Sequence, residues 1–195
     1  MLLTLRDRRS VAALRRFGAA VEGVSAIEFA MLLPLFAGLL LVILQVGLYF
    51  YYTTYLAYAT DVAARHIMTG DVASQGLTAA QFRTTYLCPS LPGGMLCNNI
   101  ITNVQVVPAG NNGAGWTALT GSTGIVRPAM DNAKTTFCIG TGGSLIAVEV
   151  FYAMPVLGIP QMLPGATTFN NQQVVFIQAT SAIKNEPFVA ANAGC

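Results

Sequence analysis

The stretch Gly23–Val24–Ser25–Ala26–Ile27–Glu28–Phe29 runs directly into an uncharged apolar segment, and its reading decides the architecture. After Glu28 the next formal charge is Asp61, so residues 29–60 carry none. As helix such a segment extends about 48 Å, whereas a hydrocarbon core needs only about 20 residues. The sequence therefore predicts one helix from Val24 to about Thr69, ended by Gly70, that crosses a membrane and continues beyond it as a stalk. The span is best placed at Phe29–Leu48. Tyr49, Phe50, Tyr51, Tyr52, Tyr55 and Tyr58 follow, a cluster suited to the membrane–water interface. Further on, Asp61 and Arg65 stand four apart and are expected to pair on an exposed turn, for a few tenths of a kcal/mol.

On the amino-terminal side, residues 1–23 carry Arg6, Arg8, Arg9, Arg15 and Arg16 against Asp7 and Glu22. Flanking arginines keep a segment cytoplasmic, so the expected orientation is amino terminus in, carboxyl terminus out. An ordinary secretory signal does not fit. Leu2, Leu3 and Leu5 are too few for its apolar core, and the hydrophobic run follows any cleavage point. The plain alternative is the uncleaved cytoplasmic tail of a single-span protein.

On the carboxyl-terminal side a soluble domain is expected. Of 195 residues 54% are hydrophobic and 9% charged, against roughly 25% charged in ordinary soluble domains. One membrane helix plus a domain of roughly 125 residues accounts for the difference, and a domain of that size can bury its own core. The net charge is +2, and half of the Lys and Arg lie in the first 16 positions, which leaves no basic surface for nucleic acid. The organisation is a basic leader (1–23), a transmembrane helix and stalk (24–69) and an outer α+β domain (70–195).

Within that domain, Thr78–Leu87 reads as a short helix with a Thr78/Gln81 capping box. It stops at Cys88–Pro89, and turn-forming residues follow up to Cys97. Ile100–Val107 is a strand candidate, with Ile100, Val104 and Val106 on one face. Ala109–Gly124 is a long loop holding the only Trp, Trp116. Met130–Cys138 is undecided between helix and strand. Ser144–Met154 is the strongest strand: Leu145, Ala147, Glu149 and Phe151 face one way, Ile146, Val148, Val150 and Tyr152 the other. Pro155–Pro164 is an apolar loop. Gln172–Lys184 is the last strand, with Val174, Phe176, Gln178 and Thr180 alternating against Val175, Ile177, Ala179 and Ser181. The fold class is α+β: a long helix followed by a small antiparallel sheet.

All four cysteines come after the membrane segment, which suits an oxidising compartment. Four cysteines allow three pairings. Cys88 and Cys97 flank a turn-rich segment short enough to close locally. Cys138 and Cys195 are then left, and joining them would tie the tail Pro187–Cys195 to the domain. A free Cys195, or one paired between subunits, is the alternative.

Little here suggests catalysis. His66 is the only histidine and reads as a surface or packing residue. The cysteines lack zinc spacing, so no metal or cofactor is expected. Gly140–Thr141–Gly142–Gly143–Ser144 leads into a strand, leaves no helix amino terminus for an anion, and reads as a hairpin turn.

The small residues Ala26, Ala30, Pro34 and Gly38 recur every four positions as a ridge where another helix could approach closely. Pro34 removes a hydrogen bond to the Ala30 carbonyl and is expected to kink the helix; a bilayer kink with no partner is the alternative. Gly23, four residues, then Glu28–Phe29 and a hydrophobic helix resembles the prepilin cleavage motif of type IVb pilins. The wider run, with Glu28–Phe29–Ala30 and Leu33–Pro34, resembles the TadE-like pseudopilins of tight-adherence (Flp) pilus systems over roughly 45 residues. The resemblance implies cleavage by an integral-membrane prepilin peptidase, with Gly23 the last leader residue and Val24 the first mature one. It also implies other pilin and pseudopilin subunits and the pilus assembly platform as partners, in a bacterial inner membrane with the outer domain periplasmic. Glu28 has a physical reason on this reading. Cleavage creates an ammonium at Val24, costly at the edge of hydrocarbon, and Glu28 lies one turn on, able to neutralise it or that of a neighbour. The alternative is that Glu28 only caps an uncleaved helix, favoured there by the helix dipole.

Three functions follow: a non-enzymatic pseudopilin subunit or assembly factor of an adhesive pilus; an uncleaved single-span protein whose periplasmic domain binds a partner; and, least supported by so few charged groups, an enzyme on a stalk.

Overall fold

The computed structural model describes residues 24–108, 120–121, 124–125, 130–156 and 165–188. The leader with Gly23, the Trp116 stretch, residues 157–164 and the tail from 189 to Cys195 lie outside the described residues. The described chain is α+β: a long apolar helix and a four-stranded antiparallel sheet. It divides into two units, residues 1–44 and 45–195.

Helix α1 spans Val24–Met68 and continues through Pro34. In the first unit its residues are rich in Leu and Ala, good helix formers, and no charge interrupts them after Glu28. Phe29, Met31, Leu32, Leu33, Leu35 and Phe36 are all exposed, and these near-consecutive positions point to every side of the helix.

The second unit starts at Gln45, which is buried, three residues before the expected end of the span at Leu48. From there α1 packs on the sheet through Leu56, Ala59, Ala63, Ala64 and Ile67, a stripe repeating at three and four residues. The alanines let the helix backbone come close to the sheet. Thr60 is buried in the same stripe and satisfies its hydroxyl on the Leu56 carbonyl at 2.7 Å. At its end the chain reverses at Gly70, whose φ is 78°, into the short helix α2 (Asp71–Gln75). Helix α3 (Ala79–Phe82) follows, with both bonds of the Thr78/Gln81 capping box formed. The expected single helix to Leu87 is instead α3 plus a π-helical turn, Arg83–Leu87, and a 3-10 turn, Cys88–Ser90. Widening the turn keeps Phe82 and Leu87 buried together, a demand of packing rather than of local preference.

The strands are β1 (Ile100–Val107), β2 (Thr120–Gly121), β3 (Gly124–Ile125), β4 (Leu145–Pro155), β5 (Thr167–Phe169) and β6 (Gln172–Lys184). The main sheet runs β1-β4-β6-β5, and β2 pairs only with β3. Val104 lies opposite Val148, Ile100 opposite Tyr152, Val150 opposite Ala179 and Tyr152 opposite Ile177. All of these belong to the core that includes Leu56, Ala63, Ala64 and Ile67 of α1. Each fully buried Leu or Ile contributes about 1.5–3 kcal/mol. The alternation expected for β1, β4 and β6 is therefore the alternation observed. The other face of β4 is also covered, with Ala147, Glu149 and Phe151 buried.

Residues 130–138 form neither a helix nor a full strand. They cover the outer edge of β1, which would otherwise be open to pairing with another chain. The Asn132 side chain accepts from Thr102 N at 3.1 Å and donates to the Ile100 carbonyl at 2.7 Å, imitating a strand backbone. Next, Val104 N donates to Thr136 O and Cys138 N to Val104 O, both at 2.8 Å. Gly140–Ser144 is a turn, but it does not join two paired strands. It is held against the end of β6 by Asn185, whose amide donates to the Ile139 and Thr141 carbonyls at 2.8 and 3.1 Å. The β5–β6 hairpin turns on Asn170 and Asn171, with φ of 48° and 60°, the left-handed pair a two-residue hairpin needs. That hairpin was not expected from the sequence.

Candidate functional site

The first candidate is the exposed apolar start of α1. Its most apolar 18-residue window has mean hydropathy 2.5 and none of it is buried. Each large apolar side chain left in water costs about 1.5–3 kcal/mol, so a helix clothed in them on all sides belongs in lipid or against other helices. Glu28 and Phe29 are exposed near its beginning, and Val24 is the first helical residue described. Ala26, Ala30, Pro34 and Gly38 all lie exposed, and a Cβ added at Gly38 would meet nothing within 4 Å. The ridge is thus present and uncovered in the single chain. Gly23 lies outside the described residues.

The second candidate is a polar cluster where α1 hands over to α2. Asp71 accepts from Tyr86 Oη at 2.7 Å on Oδ2 and from Gln75 Nε2 at 2.7 Å on Oδ1. His66 Nδ1 lies 3.1 Å from Asp71 Oδ2, and the His66 ring stacks on Tyr86 with centroids 4.1 Å apart. The Tyr86 and Gln75 hydrogen bonds, in that order, hold the Asp71 carboxyl below the usual carboxylate range. The same bond to Asp71 raises the Tyr86 phenol above its ordinary value, and burial adds to it. Each polar group faces another member of the cluster, so the arrangement fastens α1 to α2 and the π-helical turn. His66 has the packing role the sequence suggested; its partners Asp71 and Tyr86 were not foreseen, because they come from separate turns.

Asp61 and Arg65 do not form the expected pair. Among the described residues the ion pairs are His66–Asp71 and Lys134–Asp131. Both residues instead line an open cleft of about 520 Å³ with Met68, Thr69, Ser181 and Ile183. An exposed pair at this spacing gains too little to offset the entropy of holding two long side chains.

The cysteines lie in the sheet domain. Cys88 and Cys97 are joined, with Cα atoms 5.6 Å apart. Cys138 is also disulfide-bonded, and Cys195, the fourth cysteine, lies outside the described residues. Among the described residues no three His, Cys, Asp or Glu side chains gather as a metal site.

Residues 23–65 match the family model of TadE-like proteins. The matched stretch is the one carrying Glu28–Phe29, the small-residue ridge and the tyrosines, and it stops short of α2. TadE-like proteins belong to tight-adherence (Tad) pilus systems, as structural or assembly proteins and not enzymes. The TadE-like match thus covers both the exposed start of α1 and the part from Gln45 onward that packs against the sheet. No curated protein and no solved structure was found to match this chain.

Proposed function

We propose that this TadE-like protein is a minor, pilin-like subunit or assembly factor of a tight-adherence pilus. It is held in the bacterial inner membrane by α1, with residues 1–23 cytoplasmic and the sheet domain periplasmic. The observation that carries the proposal is that the TadE-like match begins on an apolar helical stretch exposed on every side. A prepilin peptidase removes residues 1–23 by cutting between Gly23 and Val24. The new ammonium of Val24 is neutralised by Glu28, one turn on, in the same or a neighbouring subunit. Phe29 fills space beside that pair. Neighbouring pilin and pseudopilin helices, or the assembly platform, approach along Ala26, Ala30, Pro34 and Gly38, where the lack of side-chain bulk brings backbones close. Two disulfides suit a periplasmic location. The protein performs no chemistry; it is the peptidase's substrate.

Intact-mass measurement of the membrane-extracted protein tests this directly. The mature form should begin at Val24, and a Gly23→Arg variant should retain residues 1–23. A protein that still begins at Met1, in cells with an active prepilin peptidase, refutes the processing step and leaves an uncleaved single-span protein.

A further inference from the structure

We infer that the outer edge of β6, from Gln178 to Lys184, together with the cleft beside it, is a docking site for an extended strand of another protein. The strand adds to the sheet antiparallel to β6 and carries an acidic residue followed, two positions on, by a basic one. The inference goes beyond the pilus reading and takes from it only that α1 stands in one membrane.

The sheet treats its two edges differently. In an antiparallel ladder alternate residues turn both backbone groups toward one neighbour, and the residues between them turn theirs to the other side. On β6, Asn185 N donates to Ser144 O and Gln173 O accepts from Val156 N, so the odd-numbered residues face β4. The even-numbered ones face away from it. Gln172 and Val174 lie against β5, which pairs no further along β6 than Val174. Beyond it Gln178, Thr180, Ala182 and Lys184 turn their N–H and C=O groups to an edge that meets no strand among the described residues. Thr180, Ala182 and Lys184 are exposed. At the opposite edge of the sheet, the outward groups of Ile100, Thr102 and Val104 meet Asn132, Thr136 and Cys138. A bare row of strand donors and acceptors is a template for one more strand.

The cleft sets what side chains that strand carries. It lies between α1 and β6, with Asp61, Arg65, Met68 and Thr69 on one wall and Ser181 and Ile183 on the other. Asp61 and Arg65 are exposed, and neither enters an ion pair among the described residues. They stand four residues apart on the helix, about 6 Å of rise, close to the roughly 6.6 Å between residues i and i+2 on one face of a strand. Helix α1 runs beside β6 in the same direction. Tyr52 packs on Tyr152, which lies opposite Ile177, and further on Glu186 N donates to Met68 O at 2.9 Å. Every strand pair of this sheet is antiparallel. A strand joining β6 in that sense passes Arg65 before Asp61, so acid first and base second is the order that pairs both. A second copy does not fit. Two copies meeting at this edge about a two-fold axis would pair β6 antiparallel with β6. Their α1 helices would then run in opposite directions, although both must enter one membrane.

The test uses the full chain in detergent micelles and a labelled, end-blocked peptide, Thr-Val-Asp-Val-Arg-Val-Thr, followed by fluorescence anisotropy. The peptide should bind. The same peptide with Asp and Arg exchanged should bind about tenfold more weakly, the worth of two exposed ion pairs. With Asp61→Arg and Arg65→Asp combined in the protein, that preference should reverse. N-methylation of the three valines, whose N–H groups would face β6, should abolish binding, whereas N-methylation at Asp and Arg should not. Ala182→Pro removes one outward N–H at an edge where proline is tolerated, and should weaken binding while the circular dichroism spectrum stays unchanged. Equal binding of both peptide orders, indifference to methylation of the valines, or no binding up to about 1 mM each overturns the inference. A dimer of the full chain that Ala182→Pro dissociates would give the edge to a second copy and overturn it too. None of these readings depends on removal of residues 1–23, which intact mass reports separately.

Discussion

Gly70→Ala should be among the most damaging single-methyl changes in this protein, because two independent penalties coincide there. Gly70 adopts φ 78°, which an L-residue enters at a cost of about 1–2 kcal/mol. The added Cβ would also lie 2.6, 2.7 and 3.0 Å from Cγ, Cδ1 and Cδ2 of Phe188, well inside van der Waals contact. Phe188 packs against the core, and Glu186 N is bonded to Met68 O two residues before it, so the ring cannot swing away freely. Overpacking of that kind costs about 1–3 kcal/mol, which brings the expected loss to about 2–5 kcal/mol. The two parts can be separated. In a Phe188→Ala background the clash disappears, and Gly70→Ala should then cost only the backbone part, about 1–2 kcal/mol. Urea unfolding of the detergent-solubilised protein, followed by near-ultraviolet circular dichroism of its tyrosines, gives all four corners of the cycle. An equal cost in both backgrounds would show that Phe188 does not press on Gly70. A total below about 1 kcal/mol would refute the backbone argument as well.

Three further outcomes are expected. Glu28→Ala should leave removal of residues 1–23 intact but abolish co-purification with other pilus components; normal assembly of the variant would reduce Glu28 to a helix cap. Tyr86→Phe should weaken the pH dependence of stability at both extremes. The lowered Asp71 contributes stability above its unfolded pKa that is lost as pH falls through its folded value, and the raised Tyr86 contributes stability that is lost as pH rises through its own; unchanged acid and alkaline limbs in urea titrations would contradict this. Replacing Cys88 and Cys97 by Ser should cost about 2–3 kcal/mol on the chain-entropy estimate, and non-reducing peptide mapping should link Cys88 to Cys97 and Cys138 to Cys195, so that a Cys88–Cys138 or Cys88–Cys195 peptide would overturn both pairings.

Much of the candidate site was legible because its signals are local. Glu28 heading an uncharged run, the four-residue ridge and the tyrosine cluster are statements about one helix, and helical periodicity carries them without knowledge of what lies opposite. The strands β1, β4 and β6 were legible for a similar reason, since runs rich in β-branched and aromatic residues, with successive side chains on opposite faces, are a local signal. The β5–β6 hairpin escaped because Asn170–Asn171 is a weaker turn signal than Asn-Gly, and β5 is three residues long. Residues 130–138 could not be assigned to either regular state because they are in neither; their form is dictated by the β1 edge they cover.

By itself the sequence determined the long apolar helix, the α+β domain that follows it and the likeness to TadE-like proteins. Each depends on composition or on contacts between residues a few positions apart. Only the tertiary structure decided how far the domain reaches down α1, that Asp71 and Tyr86 close on His66, that Asp61 and Arg65 stay apart, and that the Cys88–Cys97 loop stands beside Tyr52. Those are meetings of segments far apart in the chain, and the free energy that selects them comes from burying whole faces together, which no local pattern encodes.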